Sequence, residues 1–165
     1  VLFSILPSRV RERVGFALAA DIAAIRWFPM VIAELLYGAF PFPRGRGEEK
    51  NIEFGLSAVG RLLDSGRSVV VYPEGAISRS ENITQLKRGA GLLALEMKVP
   101  VIPVFMSGTQ KIVPWGKIFP RRRAGVAVRF GEPLYFEGET YDEATDKIAA
   151  ALSRLKGEAE KYSVN

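Results

Sequence analysis

The run Ser68-Val-Val-Val-Tyr72 narrows the possible fold more than any other stretch of the chain. Three consecutive β-branched valines, bounded by Ser65-Gly66 before and Pro73-Glu74-Gly75 after, predict a strand covered on both faces. Such strands belong to parallel sheets whose crossovers are helices. The flanking segments carry helical patterns. Ile52, Leu56, Val59 and Leu63 recur at three- and four-residue spacing behind Asn51, an expected N-cap, and stop at Ser65-Gly66. On the other side, Leu92, Leu93, Leu95 and Met97 within Lys87–Lys98 predict a core-facing helix, and Val99–Met106 the next strand.

The remaining elements follow the same alternation. Val14, Phe16 and Leu18 alternate with smaller residues, the period-two mark of a strand, and a helix is expected from about Asp21. Gly38–Pro43 is short and broken by proline, hence an extended edge or loop segment. Val126, Val128 and Phe130 alternate with Ala127 and Arg129 as a further strand. Thr140-x-x-Glu143 is a capping box that opens a last helix, with Ala144, Ile148, Ala151, Leu152 and Leu155 on one stripe. The sum is an α/β domain with a largely parallel central sheet flanked by helices, occupying residues 1–165 as a single unit.

Composition removes several chemistries. The 165 residues contain no cysteine, which excludes disulfides, thiolate metal sites and a cysteine nucleophile, and no histidine, the commonest general base at neutral pH. No metal site and no cofactor are expected. A net charge of +5 draws the chain towards polyanions, either nucleic acid or an anionic lipid surface. No recognition-helix pattern, Walker motif or dinucleotide fingerprint supports nucleic acid or nucleotide. The segment containing Trp115, Lys117, Phe119 and Arg121–Arg123 mixes rings with cations, as an anionic membrane interface favours, although a surface loop anchored by one aromatic reads equally well. Ile22–Tyr37 contains Arg26, Pro29 and Glu34, so it reads as a buried or interfacial helix rather than a membrane span.

Ligands of open α/β sheets bind beyond the carboxyl ends of strands, which directs attention to three loops. One follows Tyr72 and carries Glu74 and Gly75, one carries Arg44, and one follows Met106. Glu74 suits a ligand-facing carboxylate or a helix cap, and Arg44 a phosphate fork or a surface charge. Within this frame, Gly38-Ala-Phe-Pro-Phe-Pro-Arg44, Pro73-Glu74-Gly75-Ala76-Ile77 and Val99-Pro-Val-Ile-Pro-Val104 stand in order, with Lys87-Arg88-Gly89 between the last two. The arrangement resembles the phospholipid and glycerol acyltransferases, the lysophosphatidic acid and glycerol-3-phosphate acyltransferase family, from Val1 to about Phe136.

The departures are specific. The family's threonine and arginine after proline-glutamate-glycine are Ala76 and Ile77 here, and Arg79, two residues on, is the candidate replacement for the arginine. The aspartate that often precedes the second-motif arginine is Pro43. The family's His-x4-Asp motif precedes a leucine-proline pair like Leu6-Pro7, and with no histidine in the chain it is expected upstream of Val1, the chain being an N-terminally truncated piece.

The resemblance implies an activity. A fatty acyl group passes from acyl-CoA or acyl carrier protein to a lysophosphatidic acid or glycerol-3-phosphate type acceptor, by general-base catalysis without an acyl-enzyme. It also implies Arg44, Glu74, Gly75, Arg79 and Lys87 as substrate-binding residues, with no catalytic residue in this chain, and a peripheral position on the cytoplasmic side of a membrane. The alternative is a non-catalytic membrane- or partner-binding module with an acyltransferase-like fold.

Overall fold

The computed structural model describes residues 2–19, 38–42, 49–75, 86–112 and 125–162. It is an α/β fold whose contacts divide into two compact units, Val1–Tyr72 and Pro73–Asn165.

The first unit holds two short helical turns, α1 (Leu2–Ile5) and α2 (Ser8–Arg11), followed by strand β1 (Val14–Ala19). Strand β2 (Ala39–Phe42), helix α3 (Glu49–Asp64) and strand β3 (Ser68–Val70) complete it. The three strands form a parallel sheet in the order β2-β1-β3. Register is explicit: Phe16 lies opposite both Ala39 and Val70. Helix α3 is the crossover that a parallel neighbour requires, because a tight hairpin cannot return the chain in the same direction. Pro41 lies within β2 at the outer side of this sheet, where its missing N–H costs no ladder bond towards a further strand among the described residues.

Two glycines admit this packing. Gly15 is buried, and a Cβ there would sit 3.2 Å from Leu62 Cδ1 of α3. Gly38 has φ +60°, and a Cβ on it would lie 2.8 Å from the Val14 carbonyl oxygen, while its own carbonyl accepts the Phe16 N–H at 3.2 Å. A side chain at position 38 therefore meets both a left-handed backbone and an occupied space. Phe3 meets Phe16 edge-on, with ring centroids 6.1 Å apart.

The second unit contains helix α4 (Gly89–Met97), strand β4 (Val104–Ser107), the helical turn α5 (Thr109–Ile112), strand β5 (Ala127–Phe130) and helix α6 (Tyr141–Tyr162). The capping box is formed as expected: the Thr140 N–H donates to Glu143 Oε2 at 2.8 Å and the Glu143 N–H to Thr140 Oγ1 at 3.3 Å. Ala144, Ile148, Ala151, Leu152 and Leu155 are all buried, so the stripe read from the sequence is the packed face of α6. Ile148 and Leu152 join Leu86 and Ala94 in a core extended by Val101, Leu134 and Phe136. Each large apolar side chain there contributes roughly 1.5–3 kcal/mol relative to an exposed position.

Several boundaries differ from the sequence expectation. Helix α3 starts at Glu49, so Asn51 lies inside its first turn rather than at its cap; glutamate and lysine sustain a helix better than asparagine. Its end is as expected, with Gly66 at φ +74° and Ser65 Oγ donating to the Leu62 carbonyl at 2.7 Å. Strand β3 stops at Val70 and its valines are half-buried, short of full cover. Of the leucines in α4, Leu93 is buried while Leu92, Leu95 and Met97 are half-buried. The stretch before β4 is not continuous strand, since Pro100 and Pro103 have no N–H to give a ladder. Instead Val101 exchanges hydrogen bonds with Leu134 at 3.0 and 2.8 Å, and the Pro103 carbonyl accepts the Gly131 N–H at 2.9 Å. Strands β4 and β5 pair antiparallel as a separate two-stranded sheet of the second unit. The helix expected from Asp21 lies outside the described residues.

Candidate functional site

The second unit opens on the Pro73-Glu74-Gly75 turn, five residues beyond the start of β3 in the chain. Gly75 adopts φ +62°, a left-handed value that glycine takes without a Cβ penalty. The turn is fastened to the segment leading into α4. The Lys87 N–H donates to the Pro73 carbonyl at 2.8 Å, and a Cβ placed on Gly75 would lie 3.2 Å from Lys87 Cγ and 3.9 Å from Lys87 Cε. The methylenes of Lys87 thus run across the bare α-carbon of Gly75, and the Lys87 side chain is exposed. Gly75 and Lys87, twelve residues apart in sequence, are thus in contact.

Helix α4 starts at Gly89 and not at Lys87, because the Lys87 carbonyl receives the Ala90 N–H, three residues on, at 3.0 Å, and the first four-residue bond is the one from the Leu92 N–H to the Arg88 carbonyl at 3.1 Å. The partial positive charge of a helix N-terminus adds to the lysine ammonium at this end of α4. Arg88 is turned elsewhere: its Nε lies 2.9 Å from Asp142 Oδ1 in the first turn of α6. A glycine-lined turn and a lysine that leads into a helix N-terminus suit an anionic group, and the Glu74 carboxylate in the same turn suits a hydrogen-bond donor such as a hydroxyl.

Tyr72 is 48% exposed, yet desolvation raises its phenol above the ordinary tyrosine value. Arg44 and Arg79 lie outside the described residues, as do Ala76, Ile77, Trp115 and the Arg121–Arg123 cluster. Among the described residues, no group of three or more acidic residues, histidines or cysteines could hold a metal ion. No helix among them is long and apolar enough to cross a membrane.

Two structural features of the motifs were not legible beforehand. Pro103 is buried, and a Cβ on Gly131 would come within 2.9 Å of its Cγ, so the central proline of the Val99–Val104 segment is a packing element against β5's exit. Gly91 is the second. Its N–H donates to Thr145 Oγ1 at 3.2 Å, and that hydroxyl in turn donates to the Tyr141 carbonyl at 2.7 Å. A Cβ on Gly91 would fall 2.5 Å from Thr145 Oγ1 and closer still to the Tyr141 carbonyl oxygen. The position of α4, and with it Lys87, is therefore set by a glycine-to-threonine contact with α6. The available signal was a glycine in a leucine-rich helix and a polar Thr145 on an apolar stripe.

The chloroplastic 1-acyl-sn-glycerol-3-phosphate acyltransferase of Brassica napus is 34% identical over 94 residues, 56% of this chain and 27% of its own length. The 1-acyl-sn-glycerol-3-phosphate acyltransferase of Saccharomyces cerevisiae is 36% identical over 80 residues, 47% of this chain and 26% of its own. The chain thus spans about a quarter of the length of these curated relatives. The crystal structure of the 1-acyl-sn-glycerophosphate (LPA) acyltransferase of Thermotoga maritima superposes with a TM-score of 0.61 at 19% identity, covering 88% of this chain and 56% of that one. It shares the fold. The family model Acyltransferase matches residues 1–107, which include the Gly38–Arg44, Pro73–Ile77 and Val99–Val104 segments, and on that match the chain belongs to the acyltransferase family.

Proposed function

We propose that this chain is the acceptor-binding part of an O-acyltransferase of glycerophospholipid synthesis, which moves a fatty acyl group from acyl-CoA or acyl carrier protein to a lysophosphatidic acid or glycerol-3-phosphate type acceptor. Family membership and the activities of the curated relatives support the reaction class. The observation that carries the assignment within this chain is the Pro73–Gly75 turn fastened to Lys87 at the entrance of α4.

In this reading the acceptor's phosphate is held by the Lys87 ammonium with Arg79 as a further cation, because a planar guanidinium can engage two phosphate oxygens, while Arg44 of the first unit is proposed as a substrate-binding cation in its own right. Glu74 and Gly75 shape the turn against the glycerol. The acceptor hydroxyl loses its proton to a general base, its oxygen attacks the thioester carbonyl, and the thiol of the donor leaves with a proton. No histidine is present in these 165 residues, so that base is assigned to a His-x4-Asp pair encoded upstream of Val1. The donor is a substrate, and no cofactor is called for. The charge of +5 supports a peripheral position on an anionic membrane, facing the cytoplasm.

Two measurements test this. The isolated chain should bind a short-chain lysophosphatidic acid at least about tenfold more tightly than the monoacylglycerol that lacks the phosphate, the worth of one charge-assisted hydrogen bond; equal affinities would remove the phosphate assignment. It should also transfer no acyl group above the uncatalysed rate, whereas the natural coding sequence 5′ of the Val1 codon should encode His-x4-Asp. Absence of that motif would favour a non-catalytic lipid-binding module with this fold.

A further inference from the structure

We infer that Lys87 is a positioning residue for the Pro73–Gly75 turn through its aliphatic stem, a role separable from the charge at the stem's end. The half concerning bound acceptor rests on the function proposed above; the bracing does not.

Residue 87 holds the turn at two points of different kind. The first is its backbone N–H on the Pro73 carbonyl at 2.8 Å, which any residue except proline supplies. The second is the line of methylenes from Cγ to Cε over Gly75, at 3.2 and 3.9 Å from where a Cβ would be. That contact needs an unbranched chain of at least three heavy atoms beyond Cβ. Lysine is suited to it because its methylenes can lie on apolar or bare backbone surface while the ammonium stays in water, and the Lys87 side chain is exposed. The contact also accounts for glycine at position 75 beyond its φ of +62°: a methyl group would push the stem outwards by a few tenths of an ångström. Between the two points of attachment lies Glu74, whose backbone the turn carries, so the inference extends to it: loosening the turn at side chain 87 should loosen Glu74.

The test separates length from charge. Lys87→Met keeps the stem and removes the ammonium; Lys87→Ala removes both. Amide hydrogen exchange at residue 87, whose N–H closes the turn, is read without ligand. Exchange in Lys87→Met should stay within the wild-type range, while in Lys87→Ala it should quicken about fourfold, the equivalent of one methylene's burial. Gly75→Ala should quicken it in the wild-type background and add less in Lys87→Ala, since the stem it displaces is gone. Wild-type exchange in Lys87→Ala, Met behaving as Ala, or strict additivity of Gly75→Ala and Lys87→Ala would each overturn the inference.

Affinity for short-chain lysophosphatidic acid then reports the positioning. Glu74→Gln should weaken binding more in the wild-type and Lys87→Met backgrounds than in Lys87→Ala, where the turn is already loosened; an equal loss in all three overturns the coupling to Glu74. Undiminished binding by Lys87→Met would instead refute the phosphate role of the ammonium and leave the bracing intact.

Discussion

The two units solve the problem of close packing in opposite ways. In the first, main chain meets main chain: three parallel strands in the order β2-β1-β3 are held by register, with Gly38 giving way to the Val14 carbonyl, while Gly15 leaves room for the Leu62 side chain of α3. In the second, helix meets helix. An apolar stripe on α6 buries α4, and a single glycine, Gly91, lets the two approach until a backbone N–H reaches a side-chain hydroxyl. Sheet packing spreads its demands along a ladder, whereas the helix crossing concentrates them at one residue. The candidate site depends on the second kind, because Lys87 leads directly into α4.

The largest effect should come from breaking the helix crossing. Gly91→Val places atoms where the Tyr141 carbonyl and Thr145 hydroxyl already are, and should cost about 3 kcal/mol or more by chemical denaturation, with exchange protection lost first within 86–97 and 141–162. Gly38→Ala tests the sheet. It combines a strained φ of +60° with a Cβ 2.8 Å from an oxygen, so a loss of about 2 kcal/mol is expected, with deprotection centred on β1 and β2. If both variants deprotect the same amides equally, the contrast between the units fails.

A smaller, stabilising change sharpens it. Lys98 ends α4 in the left-handed region at φ 51°, where glycine carries no penalty, and Lys98→Gly should raise stability by up to about 1 kcal/mol in thermal melts. The smallest effect is that of acid on the second unit. The backbone N–H and then the hydroxyl of Thr140 hold Glu143 below the usual carboxylate range, and a hydrogen bond from Lys147 does so for Glu139. Carboxyls lowered by folding stabilise the fold above their ordinary pKa of about 4.3, and that contribution disappears as pH falls through the lowered values. Melting temperature should therefore fall below about pH 4.3, and Glu143→Gln should flatten part of that fall; an unchanged slope would show that the capping box contributes nothing to acid sensitivity.

Much of the second unit was readable from residues alone. The capping box at Thr140 and Glu143 and the stripe from Ala144 to Leu155 are local patterns, and local patterns survive folding when the face they define is the one that is buried. The turn after β3 was readable for a related reason: a strand followed by Pro73-Glu74-Gly75 must leave the sheet. Boundaries were less legible. Asn51 has the chemistry of a cap, but glutamate and lysine before it carry the helix to Glu49. Val99–Met106 has the apolarity of one strand, but two prolines confine regular pairing to Val104–Ser107.

By itself, then, the sequence determined the alternation of strands and helices, the buried face of α6, the absence of histidine and cysteine chemistry within these residues, and the order of the family segments. Tertiary structure alone decided three things: that β4 and β5 run antiparallel, that Gly91 rather than a leucine sets the spacing of α4 and α6, and that Lys87 lies across Gly75. The reason is the range of the forces involved. Periodicity and capping act over one to four residues and are written in the chain, whereas strand direction and contact across 12 or 54 positions depend on which surfaces the chain closure brings into touch.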